Sequence, residues 1–194
     1  MRAFAKDALC RSIVAGLAMG IGTVAHAAEV TQASTVKLAV AGTCAVSSGG
    51  DLSFGTPAMT IDRSPLRFTA NSDATSTILV TCSPQLPYQV YSAPSSYATG
   101  SGDSAQRRLR GYFSGGNIYS IPYNISSVSA GGTNYPTSTS SSAIISGTGT
   151  GAQQTLTYYG RIASGEEAQD SNGNRYATAE AGDYSDTLTF TVNY

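Results

Sequence analysis

The sequence predicts an all-β sandwich, exported and closed by one disulfide. Three observations carry that reading. Apolar residues recur at every second position, which is the strand period. Helical patterning is nearly absent beyond the first 27 residues, and only two cysteines, Cys44 and Cys82, lie past that point.

The leading segment comes first. Arg2, Lys6 and Arg11 give a positive front end, Ile13 to Val24 is an apolar run, and Ala25-His26-Ala27 has the small-x-small form of an export cleavage site. Residues 1–27 therefore read as a secretory signal peptide, whose apolar run of about a dozen residues is shorter than the roughly 18 a membrane span needs. Cys10 precedes the apolar run, so it is not placed for lipid attachment at the cleavage point. No later run approaches spanning length, and the mature chain is expected to be soluble, outside the cytoplasm and without a transmembrane segment.

Cleavage changes the composition. Removing Arg2, Lys6, Arg11 and Asp7 leaves 8 basic and 11 acidic residues, a net charge of −3, with Lys37 the sole lysine. The single histidine, His26, leaves with the signal. In an oxidising compartment Cys44 and Cys82 read as one disulfide rather than a metal site. Closing a loop of that length restrains the unfolded chain by ~4 kcal/mol in the chain-entropy model. The remaining 167 residues or so suit one domain with a single core. Sparse charge and the lack of a basic face argue against a nucleic-acid partner.

Strands follow in order. Thr35 to Val40 alternates, with Val36, Leu38 and Val40 on one face. Thr75 to Cys82 and Tyr88 to Val90 with Tyr91 are β-branched and aromatic, broken between them by Pro84 and Pro87. Arg108 to Phe113, Ile118 to Tyr123 and Gln154 to Ile162 come after Gly- and Ser-rich turns. The last strand is the most regular: Tyr184, Leu188, Phe190, Val192 and Tyr194 share one face, while Ser185, Thr187, Thr189, Thr191 and Asn193 occupy the other. Ser126 to Gly151 reads as a Ser/Thr/Gly loop with room for one short edge strand. Glu166 to Gly182 reads as a second long connection with a tight turn at Asn172-Gly173. Many short strands between turn signals indicate a sandwich.

The first mature segment, residues 28–41, is extended and amphipathic. Val30 shares parity with Val36, Leu38 and Val40, although Gln32 and Ser34 interrupt the face. At ~3.3 Å per residue it would reach about 45 Å. Periodicity alone fits two uses: the first strand of its own sandwich, or a strand lent to another molecule.

Several motifs in order resemble one family. They are Gly42-Thr-Cys44-Ala-Val46, Leu52-Ser-Phe54-Gly55, Ile78-Leu-Val-Thr-Cys82, Arg108-Leu109, Ile121-Pro-Tyr123, Tyr159-Gly-Arg-Ile162 and the ending Ala181-Gly-Asp-Tyr-Ser-Asp-Thr to Tyr194. Together they span the mature chain, and it is similar to the spore coat protein U domain family, best understood as subunits of archaic (Csu-type) chaperone–usher pili. The chain departs from the family pattern in its long Ser/Thr/Gly loop and its Arg107-Arg108-Leu109-Arg110 cluster.

That resemblance implies an incomplete immunoglobulin-like sandwich, residues 42–194, whose missing strand leaves a groove beside the C-terminal strand. A periplasmic chaperone fills it first; at an outer-membrane usher, the arm of a neighbouring pilin subunit replaces the chaperone's strand. The expected donor residues are Val30, Val36, Leu38 and Val40, and the expected acceptor side is Tyr184, Leu188, Phe190, Val192 and Tyr194. The implied product is a surface fimbria, reached through the periplasm, supporting adhesion and biofilm formation.

Chemistry is not expected. Without histidine no Ser-His-Asp or Cys-His arrangement exists, and the disulfide consumes both cysteines. Glu166, Glu167 and Asp170 mimic a glycosidase pair by residue type, yet read better as a solvated loop. Asp183 and Asp186 suit turn hydrogen bonds, and no loop has calcium-ligand spacing, so neither cofactor nor metal is expected. The arginine cluster reads as a charged strand edge that discourages stray pairing, and Asn124-Ile-Ser126 as a coincidental glycosylation match. Two other functions stay open: a secreted monomeric carbohydrate- or surface-binding module, which the 12 tyrosines would suit, and a coat or matrix protein that polymerises without an usher.

Overall fold

A computed structural model describes residues 32–57, 59–60, 67–141, 145–170, 174–175 and 181–194. The chain divides into a leading unit, Met1–Ala39, and a body, Val40–Tyr194. The export signal, Val30 and the Asn172-Gly173 turn lie outside the described residues.

Among its described residues the body has eleven strands: β1 (Cys44–Ser48), β2 (Met59–Thr60), β3 (Arg67–Phe68), β4 (Ser72–Cys82), β5 (Pro87–Ser92), β6 (Arg107–Tyr112), β7 (Ile118–Ser126), β8 (Ile145–Thr148), β9 (Gln153–Ile162), β10 (Gln169–Asp170) and β11 (Phe190–Asn193). Two single 3-10 turns, at Gly102–Ser104 and Ser114–Gly116, are its helical content among the described residues. No described helix is long and apolar enough to cross a membrane.

The larger sheet runs β1-β4-β9-β7-β10, with β6 also paired to β7; the smaller runs β11-β5-β8; β2 and β3 form a separate ribbon. Every ladder is antiparallel. The spine is β4 against β9, in register from Ser72 opposite Ile162 to Thr81 opposite Gln153. Period-2 burial follows from the pleat. On β4 the inward set is Ala74, Ser76, Ile78, Val80 and Cys82; on β5 it is Tyr88, Val90 and Ser92. These faces meet Ile121, Tyr123, Ile125, Tyr158 and Ile162 in one core.

Two glycine-bearing motifs acquire a reason from packing. Gly160 sits in mid-strand on β9, and a Cβ there would lie 2.7 Å from Leu52 Cδ2 and 2.8 Å from Phe54 Cζ. The Leu52-Ser-Phe54 segment therefore lies across β9 at the one residue without a side chain, and Phe54 meets Tyr123 edge-on at 5.8 Å. The Ser/Thr/Gly stretch contains the edge strand β8, as the sequence allowed, and also an unexpected plug. Tyr135 is 2% exposed and packs edge-on against Phe190 at 5.5 Å, held in place because its N–H donates to the Ile125 carbonyl and the Pro136 carbonyl accepts from the Ser92 N–H.

Two expectations for strands are corrected. Residues 35–40 alternate, yet residues 32–43 belong to no strand: alternation assigns faces, whereas a strand also needs a hydrogen-bonded neighbour. The C-terminal strand is shorter than the alternation from Tyr184 to Tyr194. Ser185 exchanges backbone hydrogen bonds with Arg110 of β6 (2.8 and 3.0 Å), and the chain then joins β5 from Phe190. The segment changes sheets, so one run of alternating residues serves two layers.

Candidate functional site

The disulfide organises one flank. Cys44 and Cys82 stand directly opposite in the β1–β4 ladder and are bonded to each other. Directly opposed residues in an antiparallel pair share a face. Val46 therefore shares the core face with Val80, and Ser48 shares it with Ile78. Val80 is 0% exposed and Ile78 2%, while Val46 is 40% exposed and Ser48 lies in the open. Among the described residues the core face of β1 is therefore covered less completely than that of β4.

The facing edge has the same character. On β11, Phe190 stands opposite Ser92 and Val192 opposite Val90, both fully buried partners on β5. Phe190 and Val192 themselves are only half-buried, and Tyr194 is 60% exposed. Among the described residues β1 pairs with β4 alone and β11 with β5 alone. Their Cα atoms nevertheless come within 8 Å of each other with no ladder between them. One unpaired edge of each sheet thus lies beside the other, with part-exposed core residues along both. Pairing at such edges is what an added strand supplies.

The five expected acceptor residues divide by position. Phe190 and Val192 line the flank, Phe190 anchored by Tyr158 at 4.8 Å; Tyr194 ends the strand. Leu188 packs at the core margin. Tyr184 sits elsewhere, against Phe113 at 5.3 Å near the end of β6, a consequence of the sheet change at Ser185. Val46, on the opposite lip, was missed: in Cys-Ala-Val-Ser-Ser the alternation is too short and small to register as a strand.

The leading segment presents a row of uncovered apolar side chains. Val36 is 94% exposed, Leu38 86% and Val40 83%. At the start of the body, the Thr43 N–H donates to Ser83 Oγ at 3.0 Å and its carbonyl accepts from the Ser83 N–H at 2.9 Å.

The remaining candidates change meaning. Arg107 is no surface charge: it is 4% exposed and donates to the carbonyls of Ala93 (2.9 Å) and Ser92 (2.5 Å), tying β6 to the end of β5. Burial pulls its guanidinium below the usual arginine range. Arg108 donates to Gln169 Oε1 at 2.7 Å, and Arg110 stacks over the Tyr97 ring at 4.2 Å. The acidic group is not a solvated loop either. Glu167 is 4% exposed and ion-paired to Arg67 at 2.6 Å, with Arg175 at 3.5 Å; burial raises the Glu166 carboxyl. Asp170 accepts from the Asn174 N–H at 2.7 Å. Asp186 accepts from Tyr123 Oη and from the Thr187 N–H, both at 2.8 Å, and the burial of Tyr123 raises its hydroxyl far above the ordinary value. Asp183 is exposed. Asn124 is a half-buried strand residue that donates to Asn134.

The Spore Coat Protein U domain model matches residues 30–191. No curated protein matches the chain. Among solved structures, it is similar to the CsuC–CsuE chaperone–tip adhesion subunit pre-assembly complex from the archaic chaperone–usher Csu pili of Acinetobacter baumannii. Identity there is 19% and the TM-score 0.43, over 80% of this chain and 40% of that one.

Proposed function

Since the chain belongs to the Spore Coat Protein U domain family, we propose that it is a structural subunit of a surface pilus, assembled through donor-strand exchange by a periplasmic chaperone and an outer-membrane usher. One observation carries the reading: core-facing residues of two unpaired sheet edges, Val46 on β1 and Phe190 and Val192 on β11, stand part-exposed along one flank. A sandwich with its own full set of strands would cover them.

The donor is the residue 28–41 segment of a neighbouring subunit. Val36, Leu38 and Val40 enter the flank, with Val30 extending the row. The new strand enters between the two unpaired edges, which part to roughly twice the ~4.8 Å pairing distance to admit it, and covers the core residues along them. Burying Val36, Leu38 and Val40 at ~1.5–3 kcal/mol each gives an upper estimate of about 4.5–9 kcal/mol before ordering costs. The chaperone occupies the same flank before assembly, which keeps the subunit soluble in the periplasm. The function is structural rather than enzymatic, and adhesion and biofilm formation follow from the finished fimbria.

Deleting residues 28–41 tests this. The truncated subunit still co-purifies with its chaperone and forms no fibres. Normal fibres from the truncated subunit would overturn the reading.

A further inference from the structure

The sheet change of the C-terminal segment creates a second surface feature. β5 ends at Ser92, and the chain runs on through Ala93 to Tyr97, while Asp186 to Thr189 diverge from it to reach β6. Between the two diverging segments lies a cleft of about 310 Å³, lined by residues 93–97 together with Asp186, Thr187 and Thr189. Its volume is at the lower end for small-ligand sites, typically ~300–1,000 Å³.

The lining is chemically mixed. Asp186 brings a carboxylate whose two oxygens each accept one hydrogen bond, from Tyr123 Oη and the Thr187 N–H, so each keeps acceptor capacity. The Thr187 and Thr189 side chains lie on exposed positions. Ser95 Oγ is buried with no hydrogen-bond partner among the described residues, although buried hydroxyls are normally satisfied. Pro94 and the Tyr97 ring supply apolar surface. Tyr97 is braced: Arg110 stacks on the ring, and its hydroxyl is 3.1 Å from that of Tyr112, itself 64% exposed. A braced aromatic costs little entropy on binding.

We infer that this cleft binds a neutral pyranose sugar. A pyranose presents hydroxyls that both donate and accept, matching Asp186, Ser95, Thr187 and Thr189, and an apolar C–H face that matches a tyrosine ring. A lone carboxylate is too few ligands for a metal ion, and among the described lining residues that carboxylate is the one charge, which disfavours an anion. A single small site of this kind binds weakly. In a fibre the cleft would repeat once per subunit, and avidity would raise the apparent affinity by a factor of about 10²–10⁴. The cleft lies within one body and needs no donor strand, so its test is independent of the proposed polymerisation.

The test uses the mature subunit bearing Leu38→Asp, kept from polymerising, and the methyl glycosides of glucose, galactose and mannose as probes. Saturation-transfer NMR should show transfer to the ring protons of at least one glycoside. Tyr97→Ala and Thr189→Val should each weaken it by roughly tenfold in affinity. Their circular dichroism and melting temperature, compared with the parent, establish that they remain folded. No transfer to any of the three sugars overturns the inference, as does transfer that persists unchanged in both folded variants. Loss of fibres in an assembly assay would leave this result standing.

Discussion

Leu38→Asp separates two properties that an ordinary core mutation would confound. Leu38 is 86% exposed, so the substitution removes little buried surface, and subunit stability should change by no more than about 0.5 kcal/mol. In the polymer the same side chain is proposed to enter a neighbour's core. There the variant forfeits a leucine's burial, ~2–3 kcal/mol, and brings in a carboxylate whose desolvation costs several kcal/mol more. A total loss near 4 kcal/mol or above is at least about a thousandfold in subunit association. Leu38→Ala should fall between, losing about 2 kcal/mol or roughly thirtyfold. The assay pairs electron microscopy of surface fibres with chaperone co-purification from the periplasm. The expected outcome is a folded, chaperone-bound subunit and no fibres. Fibres of normal length from Leu38→Asp would refute the reasoning, because a charge cannot sit unpartnered in a dry core.

Three further outcomes follow from the fold. Cys44→Ala with Cys82→Ala removes the β1 staple and should cost ~4 kcal/mol, read as a lower urea midpoint in the chaperone-free subunit; an unchanged midpoint would show that β1 is held otherwise. Gly160→Leu should cost ~1–3 kcal/mol by driving Leu52 and Phe54 off β9, with the loss measured by thermal melting, whereas Gly147 variants would act on Tyr88 instead. Acid should weaken the body in a definite window. Asp73, hydrogen-bonded by Arg161, and Asp103, which accepts from Ser141 Oγ and Thr137 Oγ1, both lie below the ordinary aspartate value of 3.8. Their folded values are depressed, so their contribution is complete above that value and is lost as pH falls through the lower folded ones. The half-buried Glu166, raised by burial, works oppositely: its protonated form favours the fold, and that contribution is lost as pH rises through its raised value. Melting temperature against pH should therefore fall more steeply below about pH 4 in the parent than in Asp103→Asn.

The legible parts of the fold were those written in long alternation. β4, β5, β6, β7 and β9 sit within a residue or a few of their expected positions because β-branched and aromatic residues recur there at period 2. β1 escaped because its core-facing residues are a cysteine, a valine and a serine, and its role is set by the opposing β4 rather than its own pattern. Tyr135 was hidden in a low-complexity stretch whose composition described everything except its one buried aromatic. Arg107 and Glu167 were misread as surface charges for one shared reason. Charge type predicts exposure on average, but backbone carbonyls at a strand end, or two arginines from other segments, make burial tolerable, and sequence shows neither. The sheet change at Ser185 was equally invisible, since alternation reports a face and not the layer it faces. Thus Tyr184 and Val192 share parity yet serve different neighbours.

Amide hydrogen exchange on the dilute mature subunit and on the assembled polymer reads the open flank directly. Amides of residues 36–40 and of β1 and β11 should exchange fast in the single subunit and become strongly protected in the polymer. Protection of residues 36–40 already present in the dilute monomer would mean that the chain fills its own gap, and the account would be wrong.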